Sequence, residues 1–128
     1  MGLCKAKTDA KLGAMVHKHL IKLGVETPIH PSWEDEQQKI IQIQKHFKTI
    51  MEILGMDLKD DSLVESPFRV AKMFVNELFW GLNPDNFPKS TVIENKMQYD
   101  EMVLERDITV MSTCEHHFIT INGVAHVA

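Results

Sequence analysis

Leu12, Met15, Val16, His19, Leu20 and Leu23 recur at intervals of three and four, the spacing that gathers side chains on one face of a helix. Thr8 or Asp9 is placed to cap its start and Gly24 to end it. Thr27-Pro28-Ile29-His30-Pro31 is a linker stiffened by prolines, and Ser32 precedes Glu34, Asp35 and Glu36 as an N-cap precedes an acidic first turn. The second predicted helix runs to about Leu54. Its apolar stripe is Ile40, Ile43, Phe47, Ile50, Met51 and Leu54, with Lys39, Gln42, Lys45 and Lys48 toward water and Gly55 as the stop. A third helix is predicted to open at Ser66-Pro67, serine capping and proline first in the helix, and to bury Val70, Met73, Phe74 and Leu78 before Gly81.

From Leu82 to Lys89 prolines and asparagines predict an irregular connection, and after it the period changes to two. Thr91-Val92-Ile93 and Met102 to Val110 read as strand. In the second, Leu104, Arg106, Ile108 and Val110 alternate with Val103, Glu105, Asp107 and Thr109. Asn122-Gly123, between Phe118–Ile121 and Val124–Val127, predicts a tight hairpin, because that pair supplies the positive φ angles of a type I′ turn. The expected class is therefore α+β, with a helical region over residues 1–90 and the start of an antiparallel sheet over 91–128. The sequence stops at Ala128 within a predicted strand, which suggests a truncated sheet or one completed by partners.

Composition narrows the function. A formal charge of −4 and a pI near 5.9 lack the basic face that nucleic acids require. No apolar run reaches the ~18 residues of a membrane span, and the charged start carries no secretory apolar core, so a cytoplasmic location is expected. Two cysteines, Cys4 and Cys114, do not make a disulfide framework, and a reducing compartment would keep Cys114 available as a thiolate ligand.

The densest chemistry is Ser112-Thr113-Cys114-Glu115-His116-His117-Phe118. A thiolate with imidazole favours zinc, which takes sulfur and nitrogen tetrahedrally and, in catalytic sites, keeps a position open for water. In an extended strand Cys114 and His116 share a side; in a turn Cys114 and His117 come together. Both geometries are open at this level, and either leaves one histidine for proton transfer. Singly, each residue reads more simply as an exposed histidine or a small buried thiol; together they favour a metal. Arg69, in the first turn of the third helix, could hold phosphate, although pairing with Glu65 is the simpler reading. His17, His19, His30 and His46 lack metal-ligand company, and Trp33 and Trp80 read as core or interface anchors.

Several segments in order carry a family resemblance. They are Glu26-Thr27-Pro28, the run from Asp60 to Met73 around Ser66-Pro67-Phe68-Arg69, Asn86-Phe87-Pro88-Lys89, Ile93-Glu94-Asn95-Lys96-Met97, and Arg106-Asp107-Ile108-Thr109 through Cys114-Glu115-His116-His117-Phe118. Over nearly its whole length the chain resembles the GTP cyclohydrolase I family of the bacterial type, most specifically at Ser-Thr-Cys-Glu-His-His. The resemblance implies N-terminal helices followed by a tunnelling-fold (T-fold) sheet, in a ring-shaped homodecamer. It implies hydrolytic opening of the guanine imidazole ring of GTP, release of formate and reclosure as 7,8-dihydroneopterin triphosphate, at the start of folate-type pterin synthesis. Zn2+ ligands would map onto Cys114 and His117, the proton-transfer histidine onto His116, and a triphosphate contact onto Arg69.

The family's third zinc ligand is a cysteine further downstream than Ala128, and Cys4 is a poor substitute. Little or no turnover is therefore expected of these 128 residues alone. The alternatives are a non-catalytic truncated subunit that associates with full-length partners and, behind it, a small structural zinc module.

Overall fold

A computed structural model describes residues 5–26, 29 and 35–128, which divide into two compact units, Met1–Lys89 and Ser90–Ala128. The first is helical: α1 (Ala10–Lys22), α2 (Glu36–Ile53) and α3 (Ser66–Met73). The second holds one antiparallel pair, β1 (Glu105–Thr113) and β2 (Thr120–Val127). The expected α+β class, helices first and antiparallel strands after, holds.

Asp9 caps α1, accepting a hydrogen bond from the Leu12 amide at 2.9 Å, and Gly24 leaves the helix in the left-handed region at φ +68°. The face that α1 covers is rotated from the expected stripe. Gly13 is buried, with Leu12, Val16, His17 and Leu20 half-buried, whereas Met15, His19 and Leu23 are exposed. The cause is Gly13, whose missing side chain lets Pro84 and Phe87 approach; a Cβ there would overlap the Pro84 carbonyl oxygen. The connection from Leu82 to Lys89 is thus a clamp rather than a slack loop. Phe87 O accepts from Asp9 N at 2.8 Å, Lys7 O accepts from Lys89 N at 2.9 Å, and buried Asn86 donates to Trp80 O at 2.9 Å.

α2 starts at Asp35, which accepts from Gln38 N at 2.8 Å while Gln38 reaches back to the Asp35 amide, a reciprocal cap. The Ser32 cap expected from sequence lies outside the described residues, as do Cys4, His30 and Trp33. Ile40 and Met51 are buried and Ile43 and Phe47 half-buried against α3, but Ile50 and Leu54 are exposed, so the stripe is narrower than its sequence pattern. Glu65 occupies the N-cap of α3 without a side-chain bond, Ser66 and Pro67 are the first helical residues, and Ala71 is fully buried. A wider turn, Phe74–Leu78, prolongs α3, closed by Phe79 N to Phe74 O at 2.9 Å. It stacks Phe74 edge-on against Phe47 and Phe79, with centroids 6.2 and 5.5 Å apart.

In the second unit the strands differ from the expectation. Thr91-Val92-Ile93 and Met102-Val103-Leu104 are not strand; the strand begins at Glu105 and continues past Val110 to Thr113. Asn122 and Gly123 pair with Met111 and Val110 inside the ladder, and neither has a positive φ. Register explains why. Zipping β1 onto β2 from Thr113↔Thr120 outward satisfies backbone groups over both whole strands, which a turn at Asn122-Gly123 would forfeit. An extra residue between Glu105 and Ile108 makes a bulge, with Asp107 at φ +60° and its amide donating to His126 Nδ1 at 3.1 Å. The bulge breaks the simple alternation expected over 103–110: Ile108, Val110, Ile121 and Ala125 share one face, and Leu104 and Arg106 fall outside its parity.

Candidate functional site

The turn that joins β1 to β2 is the Cys114–Ile119 segment itself. Cys114 N donates to Ile119 O at 2.8 Å, and Phe118 N donates back to Cys114 O at 2.9 Å. Glu115, His116 and His117 form the tip. Because the peptide chain doubles back within five residues, the turn geometry applies rather than the extended one. It gathers all three donors: Cys114 Sγ lies 3.8 Å from His117 Nδ1 and 4.0 Å from His116 Nδ1, with the two rings 6.4 Å apart and inclined at 45°.

Electrostatics follow from that packing. Hydrogen bonds from His117, and secondarily His116, stabilise the thiolate and bring the Cys114 pKa down to about 7. Cys114 is half-buried while both histidines are exposed, so a ligand reaches the cluster from solvent. Zn–S of about 2.3 Å and Zn–N of about 2.0–2.1 Å at tetrahedral angles put the two ligand atoms roughly 3.6 Å apart. The Cys114–His117 separation of 3.8 Å fits such a pair without rebuilding the turn. Among the described residues no three His, Cys, Asp or Glu side chains converge as a full metal cage.

The other sequence-derived site residue, Arg69, is an exposed side chain in the first turn of α3, in the helical unit. Its backbone amide donates to Glu65 O at 3.0 Å, and the two side chains make no ion pair, so the simpler surface-pair reading does not describe it. Of the remaining histidines, His19 and His46 are exposed. His17 instead joins Glu26, Nδ1 to Oε1 at 2.8 Å, beside a cavity of about 250 Å3 lined by Gly13, Val16, Leu20 and Phe87. Sequence reasoning missed that pair because its members are separated by a helix end, where spacing carries no contact information. It also missed the left-handed backbone of Phe118, φ +57°, for which an aromatic residue gives no signal. No helix among the described residues is long and apolar enough to cross a membrane.

Residues 43–128 match the family model described as GTP cyclohydrolase I. Curated relatives named GTP cyclohydrolase 1 include that of Aeromonas hydrophila, 60% identical over 105 residues, or 82% of this chain and 48% of that protein. The Citrobacter koseri protein is 54% identical over 122 residues and the Yersinia enterocolitica protein 51% over 119, each covering 93% of this chain and 54% of the relative. The chain thus spans about half the length of the curated relatives it matches. A family match across most of the chain, with the helices, the strand pair and the Cys-Glu-His-His turn in order, places this chain in the GTP cyclohydrolase I family.

Proposed function

We propose that the protein to which this sequence belongs is a zinc-dependent hydrolase of GTP, opening the guanine imidazole ring, releasing formate and yielding 7,8-dihydroneopterin triphosphate for folate and tetrahydrofolate synthesis. One observation carries the proposal beyond family membership: a thiol and an imidazole nitrogen 3.8 Å apart on a solvent-facing turn, the donor chemistry and spacing of a zinc half-site. Cys114 and His117 would hold the ion and a third ligand would complete it. Bound zinc supplies Lewis-acid activation of water. His116, at the same tip and not required as a ligand, delivers a proton to the ring nitrogen next to C8 as water adds there and the C–N bond opens. Arg69 would bind the triphosphate, for which its planar donors and the helix N-terminus are suited. Assembly as a homo-oligomer, a decamer by family resemblance, and a cytoplasmic location belong to the same reading.

The test separates ligands from the proton carrier. Zinc content should fall in Cys114→Ser and in His117→Ala, whereas His116→Ala should keep zinc and lose ring opening by about 10²-fold or more, the scale of a general acid. Unchanged zinc in both ligand variants would overturn the assignment, and loss of zinc on replacing His116 would exchange the histidines.

A second reading keeps the family but not the turnover: a non-catalytic subunit docked on full-length partners. What favours it is that, among the described residues, no group of three His, Cys, Asp or Glu side chains is arranged to hold a metal ion. GTP conversion by the 128-residue chain alone would exclude it.

A further inference from the structure

The turn from Cys114 to Ile119 contains no glycine and no asparagine, yet it needs one left-handed residue to close, and that residue is Phe118 at φ +57°. A bulky side chain pays a steric penalty in this region, because Cβ crowds the following carbonyl. Such outliers persist where the surroundings over-determine them, notably at ligand clamps. Here the determinants are visible: the Phe118 amide is held by Cys114 O at 2.9 Å and the Cys114 amide by Ile119 O at 2.8 Å, closing the hairpin on both sides of the tip. His117 is the residue immediately before the left-handed one. The reversal at residue 118 is what brings Ile119 back to Cys114 and so ties down the turn that carries His117. Were Phe118 to relax to an extended conformation, residue 119 would swing away and the Cys114 amide to Ile119 carbonyl bond would open, removing the closure that keeps the 114–118 turn, and with it the 3.8 Å approach of His117 Nδ1 to Cys114 Sγ, in one arrangement.

We propose that Phe118 is a positioning residue for metal capture, acting through its left-handed backbone rather than its ring: it holds Cys114 and His117 as a preformed ligand pair. This rests on the reading of those two residues as zinc ligands, and the experiment distinguishes the two claims. In the full-length natural protein, Phe118 is replaced by Gly and by Asn, which accept positive φ, and by Val, which resists it. Affinity for Co2+ is read from the thiolate-to-metal absorption band, and exchange of the residue-118 amide is measured in the metal-free protein. Gly and Asn should keep Co2+ affinity within about threefold and keep the amide protected, while Val should weaken affinity by about tenfold and unprotect the amide. A role for the aromatic ring would make Gly and Asn fail as badly as Val, which overturns the proposal, as would a Val variant that retains both protection and affinity. If the unmodified protein captures no Co2+ at all, the ligand reading falls and the metal role of Phe118 with it, a result separable from the preceding ones because the amide exchange pattern is then intact in the same sample.

Discussion

At the scale of single residues, the unusual property is the acidity of Cys114. His117 contributes the largest stabilisation of its thiolate and His116 a smaller one, setting the pKa near about 7. A lowered pKa means that the reactive thiolate is present above that value and lost as pH falls through it, whereas an ordinary thiol would still be mostly protonated. In metal-free protein carrying Cys4→Ser, alkylation by iodoacetamide should accelerate with a midpoint near pH 7, and in His117→Ala the midpoint should move up toward the usual thiol range. A pH–rate profile of the two proteins decides the matter; coincident midpoints would show that His117 does not govern the thiol. Gly13 is the residue-scale counterpart in the helical unit. A methyl there would meet the Pro84 carbonyl and, at 2.7 Å, Phe87 Cβ, so Gly13→Ala must push the clamp off α1. Overpacking of this kind costs about 1–3 kcal/mol, which outweighs the ~1 kcal/mol that alanine gains in helix propensity, and denaturant titration should show net destabilisation.

Elements differ in how plainly they were written in the sequence, and the reasons are physical. α1, α2 and α3 were legible as helices because each carries a 3.6-residue apolar period with boundary signals, Asp9 and Pro67 near two of the starts and Gly24 and Gly55 at two of the ends, whereas the Asp35/Gln38 cap of α2 and the Glu65 N-cap of α3 were not read from sequence. Which face each would cover was less legible, since the rotation of α1 is set by Gly13 meeting Pro84, a contact between positions far apart in sequence. The hairpin was misplaced for a related reason. Asn-Gly is a local preference, whereas the strand register is decided by pairing along two strands, and the longer-range term won. The candidate donors Cys114, His116 and His117 stand out in the sequence as residue types, but the turn that brings them together includes the left-handed Phe118, whose conformation no local rule foretells. This ranking of terms has a direct check. If Gly123 sits in a ladder, with open space where its Cβ would be, then Gly123→Thr should be neutral or stabilising by up to ~1 kcal/mol, since threonine suits a strand better than glycine. A positive-φ turn at the same place would make that substitution clearly destabilising in thermal unfolding. Conversely Asp35→Ala, which removes the cap of α2, should cost about 1 kcal/mol.

On the scale of the whole molecule, the two units are held by different means. The helical unit has a core centred on Ile40, Met51 and Ala71, extended by the Phe47, Phe74 and Phe79 edge contacts and tied at its start by the Lys7–Lys89 and Asp9–Phe87 bonds. Burial of Ile40 or Met51 contributes roughly 1.5–3 kcal/mol each, and the clamp ties residues 7–9 to residues 87–89. The sheet unit has two strands and no third among the described residues, and a lone hairpin is marginal in water. Within the second unit, residues 90–104 carry no regular structure, and Val92, Ile93 and Met97 are each at least 86% exposed. Lys96 stands in that stretch, paired to Glu94 at 3.5 Å across an exposed surface, an interaction worth little once solvated. Brief trypsin treatment of the isolated 128-residue chain should therefore cut first after Lys96 or Lys89, ahead of the lysines within α1 and α2. Mass spectrometry identifies the cut, and circular dichroism of the separated pieces then reports on the cause: the helical piece should keep a cooperative thermal transition while the hairpin piece loses its strand signal. Early cleavage inside α2, or a helical piece that melts without cooperativity, would mean that the small core and the Gly13 clamp do not suffice to hold the helices together.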